Sequence, residues 1–209
     1  MQKKSYMTDI CVWIIIAILT LIYLQEVRLS GSLTINQSTL INMGANFAPL
    51  TFGKHQYIRI VMAMWLHMSL LHILSNCFSL YIFSRITDQV YNWFEFLLIY
   101  LLAGLGGDLI SVIMSPNVIS AGASTAVMGT VGAMLAIFFA PHDMFNTKQV
   151  AEQSIFLLIL NTVLAGPGID VWGHAGGFIV GFIVATVFIL IKRIKWHYQR
   201  KNNYYGGQY

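Results

Sequence analysis

Ser124 and His174 are the two residues whose types and surroundings could carry out chemistry together. Ser124 follows Gly122, His174 follows Gly173, and each begins an apolar run long enough to enter a bilayer. A serine hydroxyl becomes a strong nucleophile when a nearby base takes its proton, and histidine is the usual base. The flanking glycines would let the two apolar segments approach closely. The pair therefore predicts nucleophilic catalysis inside a membrane.

A second group of polar residues lies in another apolar segment. His72 and Asn76 are four residues apart and so share one face of a helix, with His67 five residues before His72. Each could be a hydrogen-bonded packing residue, and Ser124 alone could be a small packing residue in a glycine-rich helix. Polar groups in a bilayer are costly, however, and are functional candidates by default. His72, Asn76, Ser124 and His174 together favour a functional site.

The composition determines what kind of protein must position these residues. The chain is 57% hydrophobic and 10% charged, whereas soluble proteins carry roughly 25% charged residues. Its 209 residues have room for about six spans of roughly 20 residues. We predict an all-α membrane protein, a single domain over 1–209 with six transmembrane helices. The predicted spans are 8–24, 69–86, 93–114, 124–140, 153–164 and 172–191.

The segment 25–65 is too polar to span and too apolar for a free linker. We expect a structured first loop that lies partly in the membrane interface. Basic residues cluster at both ends of the chain, at Lys3 and Lys4 and again from Lys192 to Lys201. The positive-inside rule then places both termini in the cytoplasm and requires an even number of spans. The net charge of +4 belongs to these ends, so no nucleic-acid partner is expected.

This topology brings the polar residues together. With the N-terminus inside, the loops after the first, third and fifth spans are external. His72 and Asn76 follow the first of these loops, Ser124 follows the next and His174 the last. All four are therefore expected in the external half of the bilayer, in a site that opens outward.

Three motifs in order resemble those of the rhomboid intramembrane serine proteases. They are the stretch from His67 to Asn76, the Gly122-Ala123-Ser124 triplet, and His174-Ala175-Gly176-Gly177 followed by Gly181. The resemblance covers the second to sixth spans. Arg59, eight residues before His67, matches an arginine of the family's first loop, and Asp88 falls where the family usually has an acidic residue.

The resemblance implies a six-helix rhomboid-like bundle with a Ser–His dyad. Ser124 would be the nucleophile, His174 the general base, and Asn76 and His72 would form the oxyanion hole with the backbone N–H of Ser124. The activity implied is an intramembrane serine endopeptidase in the plasma membrane. It would act on transmembrane segments of other proteins, in contact with the lipid bilayer, without a cofactor or metal. Structural support is expected from His67, Arg59, Gly122, Gly177 and Gly181.

Two residues depart from the family pattern. Thr125 follows the serine where the family commonly has glycine, and Met128 stands where the family often has a tyrosine that packs on the histidine. We expect Thr125 to change the fit beside the nucleophile. Met128 can contact a ring through its sulfur but is expected to hold His174 less firmly. Neither departure removes a reacting group.

Two other functions stay open at the level of sequence. One is a catalytically silent rhomboid-like protein that binds membrane proteins or controls their quality; such a protein should lack the motif serine or histidine. The other is a small transporter, with His67, His72, His174 and Asp170 along its path. A metalloprotease is disfavoured because the chain contains no His-Glu-x-x-His stretch.

The oxyanion assignment predicts different losses for different side chains. Removing one oxyanion donor typically lowers kcat by about 10²–10³. We expect Asn76→Ala to leave residual cleavage of a membrane-protein reporter, whereas Ser124→Ala leaves none. Equal and complete loss in a folded Asn76→Ala protein would contradict the assignment.

Overall fold

The computed structural model describes residues 6–140 and 170–206, and within them all regular structure is helical. This confirms the all-α fold class. Two isolated β-bridges, Thr34 with Ser69 and Asn46 with Ser120, join loops in the described part. The helices are α1 Tyr6–Ser30, α2 Gln37–Met43, α3 Ala48–Thr51, α4 Arg59–Ala63, α5 Leu70–Thr87, α6 Trp93–Met114, α7 Ser124–Ala136 with a 3₁₀ turn over Ile137–Phe139, and α8 Val171–Gly206.

Of the described helices, three are long and apolar enough to cross a membrane. They are α1, α6 and the part of α8 over Val171–Gln199. The predicted spans 8–24, 93–114 and 172–191 coincide with them, although α1 continues to Ser30 and α8 runs well beyond residue 191. The predicted fifth span, 153–164, lies outside the described residues. The count of six spans therefore stays a prediction.

The other two predicted spans, 69–86 and 124–140, form helices of a different kind. Helix α5 carries polar residues along its length, including Asn76, Ser79 and Ser84, all buried. Helix α7 has 13 residues, or about 20 Å, which is shorter than the roughly 30 Å hydrocarbon core. Every residue of α7 from Thr125 to Met134 is buried. A short helix enclosed on all sides belongs to the interior of a bundle, and it ends at Ala136, before the predicted limit.

Close backbone contact joins α7 to its neighbours. A methyl group at Gly177 of α8 would lie 2.0 Å from the carbonyl oxygen of Thr125, and one at Gly181 would lie 2.2 Å from that of Gly129. On its other side, a methyl at Gly129 would lie 2.0 Å from Cβ of Ala103 on α6. Small residues allow such an approach between membrane helices. The contact sets the start of α8 beside the start of α7.

The segment between α1 and α5 is folded onto the bundle. Helix α1 takes up the first residues of the predicted loop 25–65, and helices α2 to α4 lie in the rest. Arg59 Nη1 donates to the carbonyls of Ile41 at 2.7 Å and Ala45 at 3.0 Å. Asn46 Nδ2 donates to the Asp108 carbonyl on α6 at 2.7 Å. Arg59 thus organises the loop, and Asn46 fastens it to the membrane helices.

The glycine contacts predict unequal effects for two alanine substitutions. At Gly181 a new methyl group meets rigid backbone, so we expect Gly181→Ala to lower the free energy of unfolding by about 2 kcal/mol or more. At Gly104 the nearest atom is the flexible end of Met64, 2.6 Å away, followed by Ala126 Cβ at 3.1 Å. Gly104→Ala should therefore change stability by less than about 1 kcal/mol, helped by the better helix propensity of alanine. Thermal unfolding in detergent measures both, and equal shifts would contradict the packing described.

Candidate active site

A cavity of about 360 Å³, lined by both polar and apolar side chains, opens between α5, α7, the start of α8 and the loop before α7. Its lining includes His72, Asn76, Ser124 and His174. The structure therefore brings together the four residues that the sequence predicted as reacting groups and oxyanion donors. Four further serines add hydroxyl groups to the wall: Ser69, Ser75, Ser115 and Ser120.

Ser124 is the first residue of α7, and the chain reaches it through Gly122. Gly122 has a φ of +151°, a conformation open to glycine but strained for other residues. Its N–H donates to the Ala63 carbonyl at 2.9 Å. A methyl group at this position would lie 2.7 Å from Cε1 of His72 and 3.4 Å from Oγ of Ser124. Glycine therefore lets the imidazole and the hydroxyl come close to the same point of the backbone.

The position of Ser124 on α7 also supplies backbone donors. The N-cap of the helix is Ala123, and no side chain among residues 6–140 and 170–206 caps it. The first N–H groups of an α-helix have no partner within the helix and carry its positive dipole end. The N–H of Ser124 is thus available to a developing negative charge in the cavity.

Asn76 presents a second available donor. Its side chain is only 2% exposed and lines the cavity. In the part of the chain that the structure describes, its Nδ2 has no hydrogen-bond acceptor. A buried donor without a partner costs about 1–3 kcal/mol, so such a group calls for an explanation. A carbonyl oxygen of a substrate bound in the cavity would supply the acceptor.

His67 packs behind His72, and their rings meet edge to face with centroids 5.2 Å apart. Its backbone N–H donates to both carboxylate oxygens of Glu26 at 3.0 and 3.1 Å. Burial lowers the pKa of His67 well below its ordinary value, and nearby His72 lowers it further. The ring is therefore neutral at neutral pH and acts in packing. His67 and Arg59 support the site from outside the cavity wall.

His174 lies in the first turn of α8, where its N–H donates to the Asp170 carbonyl at 2.9 Å. The Asp170 side chain caps this turn, because its Oδ1 accepts from the N–H of Gly173 at 2.8 Å. Asp170 also lines the cavity. Sequence reasoning considered Asp170 only as part of a transporter path. The signal that identifies it is an aspartate three residues before Gly173 at the start of an apolar run, the pattern of a helix N-cap.

Glu26 is the other residue that sequence reasoning missed. It is fully buried near the end of α1 and joins that helix to the backbone of His67. A lone acidic residue at the end of an apolar segment is also typical of an ordinary helix end in water. No feature of the sequence therefore distinguishes a buried glutamate that binds the backbone from an exposed glutamate at a helix end.

Thr125, the first departure from the family pattern, is accommodated by glycines on both neighbouring helices. It is 1% exposed. A methyl group at Gly107 of α6 would lie 2.8 Å from its Cβ, and one at Gly173 of α8 would lie 3.0 Å from its Cγ2. The extra atoms of threonine thus fill the space that these glycines leave. Met128, one turn further along α7, is also buried.

The fold and the cavity define a helical membrane protein with a serine and a histidine at the starts of two adjacent helices. The family model of the Rhomboid domain matches residues 54–191, and the chain belongs to the rhomboid family. It is 30% identical over 187 residues to RHOMBOID-like protein 6, mitochondrial, of Arabidopsis thaliana, over 88% of this chain and 61% of that protein. It is 34% identical to Rhomboid-like protease 3 of Toxoplasma gondii, over 88% of this chain and 70% of that protein.

A bacterial relative is the Rhomboid protease GluP of Bacillus subtilis, 33% identical over 75% of this chain and 31% of that protein. The chain spans 61%, 43% and 53% of three Arabidopsis relatives, so it corresponds to less than two thirds of their length. Two of these relatives are named as proteases.

The contact between Glu26 and His67 predicts a stability effect at two residues that do not line the cavity. Glu26→Ala leaves the buried N–H of His67 without its acceptor, so we expect the free energy of unfolding to fall by about 1–3 kcal/mol. Glu26→Gln keeps one acceptor oxygen, so its free energy of unfolding should fall by less. Thermal unfolding of both variants in detergent measures the difference. If Glu26→Ala unfolded at the wild-type temperature, the contact would not support the loop.

Proposed function

We propose that this protein is an intramembrane serine endopeptidase that cleaves transmembrane segments of other membrane proteins. Ser124 is the nucleophile and His174 the general base of a Ser–His dyad. The observation that carries the proposal is that both residues line one cavity together with Asn76, whose Nδ2 has no acceptor among the described residues. Family membership supports the same reaction class.

The reaction follows from these groups. His174 takes the proton of the Ser124 hydroxyl as the oxygen attacks the scissile carbonyl carbon. The negative charge that develops on the carbonyl oxygen accepts hydrogen bonds from Asn76, from His72 and from the backbone N–H of Ser124. His174 then gives the proton to the leaving amine, and the C–N bond breaks to leave an acyl-enzyme. His174 takes a proton from a water molecule as the water attacks the ester carbon. It then returns that proton to the Ser124 oxygen as the ester C–O bond breaks and the carboxyl product leaves.

The polar wall of the cavity matters because hydrolysis needs water, which the hydrocarbon core excludes. Irregular backbone at membrane depth is tolerated where it lines a water-filled cavity or is buried in protein. The loop before α7 meets that condition, since its Ser120 pairs with Asn46 through both backbone groups. The serine hydroxyls of the wall give water hydrogen-bonding partners next to Ser124.

The placement in the membrane belongs to the same proposal. The basic residues at the two ends of the chain favour cytoplasmic termini and therefore an even number of spans. Six spans fit the length of the chain, and this topology would make the cavity open outward. The plasma membrane is the proposed location. The substrates are single-span or multi-span proteins whose helices can present a carbonyl to Ser124.

Cleavage of a single-span reporter by the purified protein in liposomes tests the proposal. We expect the wild type to cleave and both Ser124→Ala and His174→Ala to lose cleavage, because each removes a reacting group. Matched controls are Ser38→Ala and His55→Ala, which change exposed residues of the first loop and should cleave as the wild type does. Thermal unfolding of each variant confirms that it is folded.

Two outcomes would contradict the proposed function or its nucleophile. Cleavage that survives in a folded Ser124→Ala protein would exclude the assigned nucleophile. A wild type that neither cleaves reporters nor reacts at Ser124 with a fluorophosphonate would favour a catalytically silent rhomboid-like binding protein. Reaction of Ser124 with the fluorophosphonate, without reporter cleavage, would show an active site whose substrate differs from the reporter.

A further inference from the structure

The carboxylate of Asp170 lies where three parts of the bundle meet. Its Oδ2 accepts from the hydroxyl of Ser111 on α6 at 2.5 Å and from that of Ser120, in the loop before α7, at 2.5 Å. Its Oδ1 accepts from the Gly173 N–H at the start of α8 at 2.8 Å. Three donors directed at one carboxyl group suit the ionised form, which only accepts. A negative charge is therefore held at a fixed place in the cavity wall.

This charge lies next to the proposed base. His174 is one helical turn after Asp170, the two are joined by a backbone hydrogen bond of 2.9 Å, and both line the cavity. Because only one turn separates the two residues, a positive charge on the imidazole would interact favourably with the Asp170 carboxylate.

The same carboxylate also holds the chain that leads to the nucleophile. Ser120 is four residues before Ser124, and its N–H and carbonyl are both bonded to Asn46 at 2.9 Å. The hydroxyl bond from Ser120 to Asp170 connects this segment to α8. Asp170 is thus bonded both to the helix that carries His174 and to the loop that precedes Ser124.

We propose that Asp170 is a positioning residue for the reaction, whose negative charge stabilises the imidazolium that His174 becomes when it takes the proton of Ser124. The proposal rests on the proposed function. A Ser–His dyad has no acidic member hydrogen-bonded to its base. A fixed anion one turn away favours the same charged ring through space, and the partly buried setting strengthens the interaction. The hydrogen bonds of Asp170 keep that anion, His174 and the loop before Ser124 in one arrangement.

Substitutions at Asp170 separate charge from capping. Asparagine is as good an N-cap as aspartate and has no charge, whereas glutamate keeps the charge and caps less well. We expect Asp170→Asn to lower kcat for reporter cleavage about tenfold or more with KM little changed, since the effect falls on the charged intermediate. Asp170→Glu should retain more kcat than Asp170→Asn. If Asp170 acted only as an N-cap, Asp170→Asn would instead retain more kcat than Asp170→Glu.

A second pair makes the test independent of how well Asp170→Asn folds. Asp170→Glu and Asp170→Gln have side chains of equal length and differ in charge, so thermal unfolding can establish that they are matched. We expect kcat of the Glu variant to exceed that of the Gln variant severalfold. Equal kcat values in this pair, or wild-type kcat in Asp170→Asn, would overturn the proposal while leaving the protease assignment intact. A wild type without cleavage or fluorophosphonate labelling would overturn both.

Discussion

The backbone contact between α7 and α8 is the constraint on which the rest of the structure depends. Because Gly177 and Gly181 have no side chains, α8 lies directly against the carbonyls of Thr125 and Gly129. Any larger residue would push the helices apart, and a shift of about 1 Å between reacting groups can cost a hundredfold in rate. The same contact that packs the bundle therefore sets the distance between the starts of the helices that carry the serine and the histidine.

A cavity with polar side chains inside an apolar bundle requires hydrogen-bond partners for its buried polar groups, either from the protein or from a bound ligand. The Asp170 carboxylate accepts from three donors, and the backbone N–H of His67 donates to Glu26. The Nδ2 of Asn76 lines the cavity without an acceptor among the described residues, so a bound ligand can supply one. This distribution is what a preorganised site needs, since donors fixed in advance stabilise a developing charge without having to reorient.

The first loop acts as part of the site, although none of its helices contributes a reacting group. Asn46 is bonded both to Ser120 and to the backbone of α6, and the Ala63 carbonyl holds the N–H of Gly122. Arg59 keeps the loop in the shape that allows these contacts. The turn at Gly122 before the nucleophile, a conformation that glycine adopts readily, is thus held in place by contacts with the first loop.

The sequence by itself determined the helical membrane class, the positions of the long apolar helices, and the family, because hydrophobic runs and motif spacing are local properties. It also predicted Ser124, His174, His72 and Asn76 as candidate site residues, since polar groups are rare in apolar segments, and the structure places all four in the lining of one cavity. Only the tertiary structure decided that α7 is short and enclosed, and that the carboxylates of Glu26 and Asp170 join distant parts of the chain. Their partners, His67, Ser111 and Ser120, are distant along the chain, and no local pattern encodes which buried carboxylate will meet which donor.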